Sequence, residues 1–171
     1  MDLTAKKTLN ATIYVENLYQ GKLSSNQIIL VDTLPWHNWF NLWLESLQSE
    51  LAVANGYELS LRLTSDRAMQ TFNSQYRHQD KPTDVLAFAA LETDFPIPTD
   101  SDEPLYLGDI IISLDTAARQ AQAQQHSLPI ELAYLASHGL LHLLGWDHPD
   151  ESSLVAMLEQ QANLLKIAGI K

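Results

Sequence analysis

The chain of 171 residues contains no cysteine. This absence excludes a disulfide scaffold and a thiolate metal site, so a transition metal could be bound only by histidine or carboxylate side chains. A chain without disulfides suits a reducing compartment, and we expect a cytoplasmic protein. Apolar runs are also short. None is long enough to span a bilayer, and the N-terminus lacks the apolar stretch of a secretory signal, so we expect no membrane partner.

Basic residues are scarce as well. The sequence has 10 lysines and arginines against 21 acidic residues, which gives a formal net charge of −11. A chain of this charge is not a general nucleic-acid binder, and we expect no DNA partner. Four of the ten basic residues nevertheless fall within twenty positions, at Arg62, Arg67, Arg77 and Lys81. Acidic residues gather elsewhere, around positions 92–103, so a locally basic surface is compatible with the composition.

Length and composition indicate one globular domain, because apolar residues make up 46% of the chain. Alternating apolar residues predict strands in residues 11–15, 57–64, 84–90 and 107–114, with a further short strand at 27–31. Helical spacing predicts helices in residues 35–55, 65–76, 113–126, 129–145 and 150–168, and an acidic, proline-rich loop covers 91–106. We therefore predict a single α+β domain over residues 1–171, with a mixed sheet of about four strands flanked by about five helices.

Three of the six histidines lie in the eleven residues HGLLHLLGWDH. His138 and His142 are four residues apart in the predicted helix 129–145, so both imidazoles lie on one face, as in the metal-binding helix of zincins. Gly145 can leave the helix at positive φ and bring His148 back over that face. Three neutral imidazoles with an open fourth position predict a catalytic metal site. By donor type alone, zinc, nickel, copper or iron would suit it.

The motif H-G-x-x-H-x-x-G-x-x-H matches the metzincin protease pattern at all three ligands and at the central glycine. The protease needs a glutamate base at the second position, where this chain has Gly139. Gly139 allows either a close approach by substrate or tight helix packing. Asp147, beside the third histidine, is expected either to orient a ligand imidazole or to cap the next helix together with Asp150.

Three blocks of the sequence resemble the YbeY family of bacterial endoribonucleases, also known as rRNA maturation factors. They are HGLLHLLGWDH, FNSQYRHQDKPTDVLAFA from Phe72 and LGDIIIS from Leu107. The departures are small: Ala87 stands where the family usually has serine, Ala89 where proline is common, and Trp146 where tyrosine is common. Residues 1–60 carry no motif of the family.

The resemblance implies a metal-dependent, single-strand-specific endoribonuclease, that is, a hydrolase of RNA phosphodiester bonds. It implies a role in rRNA processing, especially 3′-end maturation of the 16S rRNA of the small subunit, and in ribosome quality control. It further implies one divalent ion, zinc, held by His138, His142 and His148, and a functional arginine that corresponds to Arg77. The implied partners are ribosomal RNA, the small ribosomal subunit and a ribosomal protein.

The chemistry of the residues is compatible with that role. A guanidinium such as that of Arg77 forms two-point contacts with phosphate oxygens, which supports a catalytic role for this residue. The nucleophile is open at this point, since either water or the 2′-hydroxyl of the RNA could attack. Two alternatives also stay open: a metallopeptidase with a base other than Gly139, and a non-enzymatic ribosome assembly factor with a structural metal.

Overall fold

A computed structural model describes residues 9–90 and 103–170. The strands are β1 (Ala11–Asn17), β2 (Tyr57–Thr64), β3 (Val85–Ala89) and β4 (Leu105–Ser113). The helices are α1 (Ser25–Asp32), α2 (Trp36–Ser46), α3 (Asp66–Arg77), α4 (Leu114–Gln124), α5 (Leu128–Leu143) and α6 (Glu151–Ile167), and a short 3₁₀ helix spans Gln48–Glu50. The predicted acidic loop falls mostly on residues 91–102, which lie outside the described residues.

The strands form one mixed sheet in the order β1-β2-β4-β3. β1, β2 and β4 are parallel, and β3 runs antiparallel to β4 at one edge. Gly108 in β4 has φ +140, and a Cβ at this position would lie 2.2 Å from the carbonyl oxygen of Phe88 in β3. A glycine is therefore required where the edge strand approaches β4. The predicted α+β fold with a mixed four-stranded sheet is confirmed.

The strand predicted at residues 27–31 is wrong, because this segment lies in α1. Ser24 accepts a hydrogen bond from the backbone N–H of Gln27, and the Gln27 side chain accepts one from the backbone N–H of Ser24, which forms a capping box. Ile29 is 60% exposed and Leu30 43% exposed, so only Val31 of this apolar run is fully buried, as on one face of a surface helix. Within the described residues the sheet is therefore flanked by six α-helices rather than about five.

The tryptophans of α2 belong to the core. Trp36, Trp39 and Trp43 are at most 5% exposed, and α2 contacts β1, α5 and α6. The indole Nε1 of Trp43 donates to the backbone oxygen of Leu164 in α6 at 2.8 Å. These rings stabilise the packing of α2 against the sheet and α6 and are not available to stack on bases.

Helix α5 is deeply buried and carries two of the predicted ligands. It packs against β3, β4, α4 and α6, and its start is capped by Ser127, whose hydroxyl accepts from the backbone N–H of Ile130. Its last turn carries His142, and Gly145 follows with φ +95. In the part of the chain that the structure describes, no helix is long and apolar enough to cross a bilayer, α5 included.

A network of polar side chains joins the end of β4 and the first turns of α4 to the start of α3. Asp66 accepts hydrogen bonds from the hydroxyls of Ser113 and Thr116, both at 2.6 Å, and from the guanidinium of Arg119 at 2.7 Å. Burial by itself raises the pKa of Asp66, but these three donors and the charge of Arg119 outweigh it and lower the pKa below its usual range. The folded state therefore favours the ionised carboxylate.

Replacing Asp66 by asparagine is expected to reduce stability at neutral pH and to flatten its acid dependence. A lowered folded-state pKa contributes stability above the unfolded pKa, near 3.8, and this contribution is lost as pH falls through the folded value. Urea midpoints measured from pH 7 down to pH 2.5 would show the gap between wild type and variant closing below about pH 4. If the difference in urea midpoint stayed constant over this pH range, the loss of stability in acid could not be assigned to Asp66.

Candidate metal centre

The three predicted histidine ligands meet at the C-terminal end of α5. One ring nitrogen from each of His138, His142 and His148 lies within 4.8 Å of the others. The Nε2 atoms of His138 and His142 are 3.0 Å apart, and the His148 ring centroid lies 5.9 and 5.6 Å from theirs. Gly145 has φ +95 with open space around its Cβ position, so it reverses the chain as the sequence predicted.

This arrangement fits a divalent metal ion. Zinc–nitrogen bonds of about 2.0–2.1 Å in a tetrahedral site place two nitrogen ligands about 3.3 Å apart. The 3.0 Å between the two Nε2 atoms is close to that value, and a ring nitrogen of the exposed His148 lies within 4.8 Å of the other two. Two half-buried imidazoles and one exposed imidazole leave the solvent side of the trio open.

The two helical histidines are held in the neutral form that a metal requires. Burial is the main cause that lowers the pKa of both rings. For His142 the neighbouring His138 and His148 lower the pKa further, while Asp147 and a backbone hydrogen bond with Trp146 oppose them. For His138 the Gln161 side chain and the charge of Asp84 oppose burial. Ring nitrogens with lone pairs are thus available at neutral pH.

The imidazoles of His138 and His142 open onto a groove of about 580 Å³ between α5 and the α3–β3 connection. Its lining includes the cationic side chains of Arg77 and Lys81 and one carboxylate, Asp147. Among the described residues, the lining is therefore net positive in a chain whose overall charge is −11. Such a local excess attracts an anionic ligand toward the histidines.

Arg77 is positioned by the edge of the sheet. Its Nη2 donates to the backbone oxygen of Ala87 in β3 at 3.1 Å, and its guanidinium carbon lies 5.8 Å from the centre of the Phe88 ring. A guanidinium has five donors, so one contact with a carbonyl leaves others for a phosphate. The structure brings Arg77 to the same groove as His138 and His142, and its catalytic role stays a prediction.

The connection that carries Lys81 is fixed by Asn73, a buried side chain of α3. Its amide donates to the backbone oxygen of Lys81 at 2.8 Å, and its backbone oxygen accepts from the backbone N–H of Gln79. His78 ends α3 in the left-handed conformation with φ 57, which turns the chain into this connection. Lys81 and Arg77 therefore share one groove wall, although Arg77 belongs to α3 and Lys81 to the connection that follows it.

Asp147 lies at the rim of the groove. Its carboxylate accepts from the backbone N–H of the adjacent His148 at 2.8 Å. The N-cap of α6 is Asp150, which forms a capping box with Ser153. The two expectations for Asp147 thus separate: the capping contacts of α6 are made by Asp150, and an orienting role of Asp147 toward a ligand imidazole stays a prediction.

Gly139 is explained by packing between α5 and the sheet. A Cβ at this position would lie 2.8 Å from Cγ2 of Ile110, a fully buried residue of β4. A glutamate at position 139 would therefore collide with the core of the sheet. Of the two expectations for Gly139, the structure supports tight helix packing, and the peptidase base has no room at this position.

Gly139→Ala is expected to destabilise the fold by about 1 kcal/mol. Overpacking against Ile110 costs roughly 1–3 kcal/mol, and the better helix propensity of alanine offsets up to about 1 kcal/mol of that. Denaturant unfolding measures the loss. In a double-mutant cycle with Ile110→Ala, the two substitutions together should cost less than the sum of their separate effects, because the second makes room for the first. Strict additivity would contradict the clash.

The histidine motif does not identify two side chains that complete this region, although one of them, Asn73, lies in the block that begins at Phe72. Gln161 of α6 is fully buried, and its Oε1 lies 3.3 Å from Nδ1 of His138. Its burial follows from helical spacing, since it shares one helical face with the buried Met157, Leu164 and Leu165. Asn73 of α3 is 4% exposed. A polar residue on an apolar helix face is the signal that could have identified both.

Comparison with known protein families identifies the family of a chain with this arrangement of histidines. The sequence model of the family described as Endoribonuclease YbeY matches residues 22–169. This chain is a member of the YbeY family. The match includes all three histidines, Arg77 and Lys81, and it extends over most of the N-terminal third, in which the sequence offered no motif.

Individual relatives agree. The endoribonuclease YbeY of Trichormus variabilis is 61% identical over 142 residues, which cover 82% of this chain and 81% of that protein. The endoribonuclease YbeY of Picosynechococcus is 54% identical over 158 residues, covering 92% of this chain and 94% of that protein. Among solved structures, the solution structure of TM1509 from Thermotoga maritima matches with a TM-score of 0.52 at 22% identity, over 92% of this chain and 90% of that one. This last likeness concerns the fold alone.

Proposed function

We propose that this YbeY-family chain is a metal-dependent endoribonuclease that hydrolyses phosphodiester bonds of single-stranded RNA. The observation that carries the proposal is the convergence of three histidine ring nitrogens within 4.8 Å at one end of a groove that also contains Arg77. The endoribonuclease names of relatives at 54–61% identity support it. We further propose zinc as the ion, because three neutral imidazoles match its usual ligands.

We assign different roles in RNA cleavage to the residues of the groove and to the three histidines. Arg77 and Lys81 bind the RNA backbone, and the planar fork of Arg77 orients one phosphodiester toward the histidines. The ion held by His138, His142 and His148 would supply Lewis-acid polarisation of a phosphoryl oxygen and a lowered pKa for water. The Arg77 guanidinium then stabilises the negative charge that grows on the phosphate during cleavage.

We propose ribosomal RNA as the substrate, with 3′-end maturation of 16S rRNA and ribosome quality control as its roles. The small ribosomal subunit and a ribosomal protein are the proposed partners. An acidic chain with a small basic groove supports this, since few phosphate contacts give weak binding to free RNA and a docking partner would supply the missing affinity. Cleavage of 16S precursor RNA within small-subunit particles, compared with the same RNA when naked, tests this part.

The central test combines metal analysis with RNA cleavage. Purified protein is assayed for bound metal by elemental analysis, and a single-stranded RNA is then incubated with the protein before and after chelation. We expect about one equivalent of zinc and cleavage that is abolished by the chelator and restored by zinc. Analysis of the product ends identifies the nucleophile, because attack by the 2′-hydroxyl leaves a 2′,3′-cyclic phosphate. Cleavage unaffected by chelation would contradict the proposal.

The two alternatives give different results in the same preparation. A metallopeptidase would degrade a casein or peptide library, and it would need a base from elsewhere in the chain, because the packing of Gly139 against Ile110 leaves no room for a glutamate at position 139. In an assembly factor with a structural metal, replacement of a histidine ligand would unfold the protein. No RNA cleavage would be lost, because the metal would have no part in any reaction. The open solvent side of the trio favours catalysis, since structural zinc sites are closed by a fourth protein ligand.

A further inference from the structure

Gln161 is the polar exception on the buried face of α6. It is fully buried, and the residues that share its face are the apolar Met157, Leu164 and Leu165. A primary amide at such a position is removed from water and needs protein partners instead. Its amide lies 3.3 Å from Nδ1 of His138 and 3.4 Å from the backbone oxygen of Tyr134.

The Tyr134 carbonyl determines which way the amide points. A carbonyl oxygen only accepts hydrogen bonds, so the NH₂ group of Gln161 must face it. The hydroxyl of Ser137 also donates to the Tyr134 carbonyl oxygen, at 2.9 Å, so this oxygen accepts from more than one side chain. The amide oxygen is then left facing His138, where it can only accept. The reversed amide is disfavoured because it would place its oxygen against the Tyr134 carbonyl oxygen, and both atoms only accept.

The amide oxygen in turn determines the tautomer of His138. Because Oε1 of Gln161 accepts, Nδ1 of His138 must carry the proton, and Nε2 keeps its lone pair. Nε2 is the atom that faces His142, with 3.0 Å between the two Nε2 atoms. The ligand atom of His138 is thus deprotonated and directed into the site before any metal arrives.

We infer that Gln161 is a positioning residue of the metal centre, which fixes His138 in the Nδ1–H tautomer through an amide oriented by the Tyr134 carbonyl. The inference rests on the proposed function for the identity of the three ligands. It assigns to α6 a part in the site that the histidine motif on α5 does not contain. Partners of this kind around a ligating histidine change metal affinity by about 10- to 100-fold.

The decisive variant is Gln161→Met, which keeps the length of the side chain and removes both polar groups. The Tyr134 carbonyl retains the Ser137 hydroxyl, and an apolar side chain suits the buried face, so the denaturation midpoint is expected to change little. The proton of His138 is expected to move to Nε2, where the His142 ring nitrogen can accept it. Zinc binding through Nε2 then requires this proton to return to Nδ1, which has lost its acceptor, and the zinc affinity should fall by about 10- to 100-fold.

Two measurements, one on metal-free protein and one on zinc binding, test this without any RNA. Nitrogen-15 NMR of the imidazoles shows which ring nitrogen of His138 carries the proton, and competition of zinc with a chelating dye measures affinity. Gln160→Met, the same change at the neighbouring and less buried position, is the matched control and should alter neither.

A wild-type His138 protonated at Nε2, or wild-type zinc affinity in Gln161→Met, would overturn the inference. Equal losses in Gln160→Met and Gln161→Met would also overturn it, because they would indicate a general disturbance of α6. The NMR measurement on the wild-type protein keeps the test valid even if the methionine variant does not fold. Since neither readout involves cleavage, the inference can fail while the nuclease proposal stands, and the reverse also holds.

Discussion

Replacing His142 by alanine is expected to lower RNA cleavage by at least about a thousandfold while leaving the fold in place. His142 is one of three nitrogen donors within 4.8 Å, and two imidazoles do not hold a divalent ion tightly enough for catalysis. The ion is expected to contribute several kcal/mol of charge stabilisation. Each loss of about 1.36 kcal/mol of transition-state stabilisation lowers the rate tenfold, so a loss of about 4 kcal/mol lowers it about a thousandfold.

Denaturation midpoints of the same variant distinguish a catalytic metal from a structural one. Zinc stabilises only a protein that binds it, so the wild-type denaturation midpoint should rise with added zinc and that of His142→Ala should not. His142 is half-buried at the open end of α5, so its removal alone should change the zinc-free midpoint little. His37→Ala is the matched control, because His37 is an exposed histidine of α2 outside the groove lining. A variant that unfolds yet turns over RNA at the wild-type rate per folded molecule would favour a structural metal.

The three ligands were easier to predict from the sequence than the surroundings that complete the site. The spacing of His138, His142 and His148 carries its own geometry, since a helical repeat and one glycine at positive φ are enough to bring the rings together. Gln161 contributes from another helix across a long stretch of chain, and no local pattern links it to His138. Tertiary partners of this kind become visible only when the packing of α5 against α6 is known.

The wrong strand at residues 27–31 has a similar physical origin. Two isoleucines and a valine favour a strand by intrinsic propensity, which is a weak preference. The capping box of Ser24 and Gln27 favours a helix, and this start signal outweighs the propensity of the residues that follow it. By contrast, the helix predicted from residue 35 is present as α2, because its apolar periodicity extends over enough residues to indicate one buried face, although α2 ends at Ser46 rather than near residue 55.

Arg77→Ala is expected to lower kcat/KM for RNA by about a hundredfold, or about 2.7 kcal/mol, with zinc affinity unchanged. The guanidinium shares the groove with the histidines but contacts Ala87 and Phe88 rather than the imidazoles, so its removal leaves the ligands in place. Arg77→Lys keeps the charge but cannot make the two-point contact, and we expect it to recover only about a tenth of the wild-type value.

The salt dependence of binding distinguishes a phosphate contact from a general charge effect. Removing one phosphate contact to a single strand should reduce the slope of log affinity against log salt by about 0.7. Arg67→Ala makes the same change in net charge at the other end of α3, on an exposed side chain outside the groove. If Arg67→Ala reduced cleavage and the salt slope as much as Arg77→Ala, the effect would be due to the net charge of the chain and not to a phosphate contact of Arg77. An effect confined to Arg77 would instead locate the phosphate beside the three imidazoles, where a chain of net charge −11 has concentrated two of its few cations.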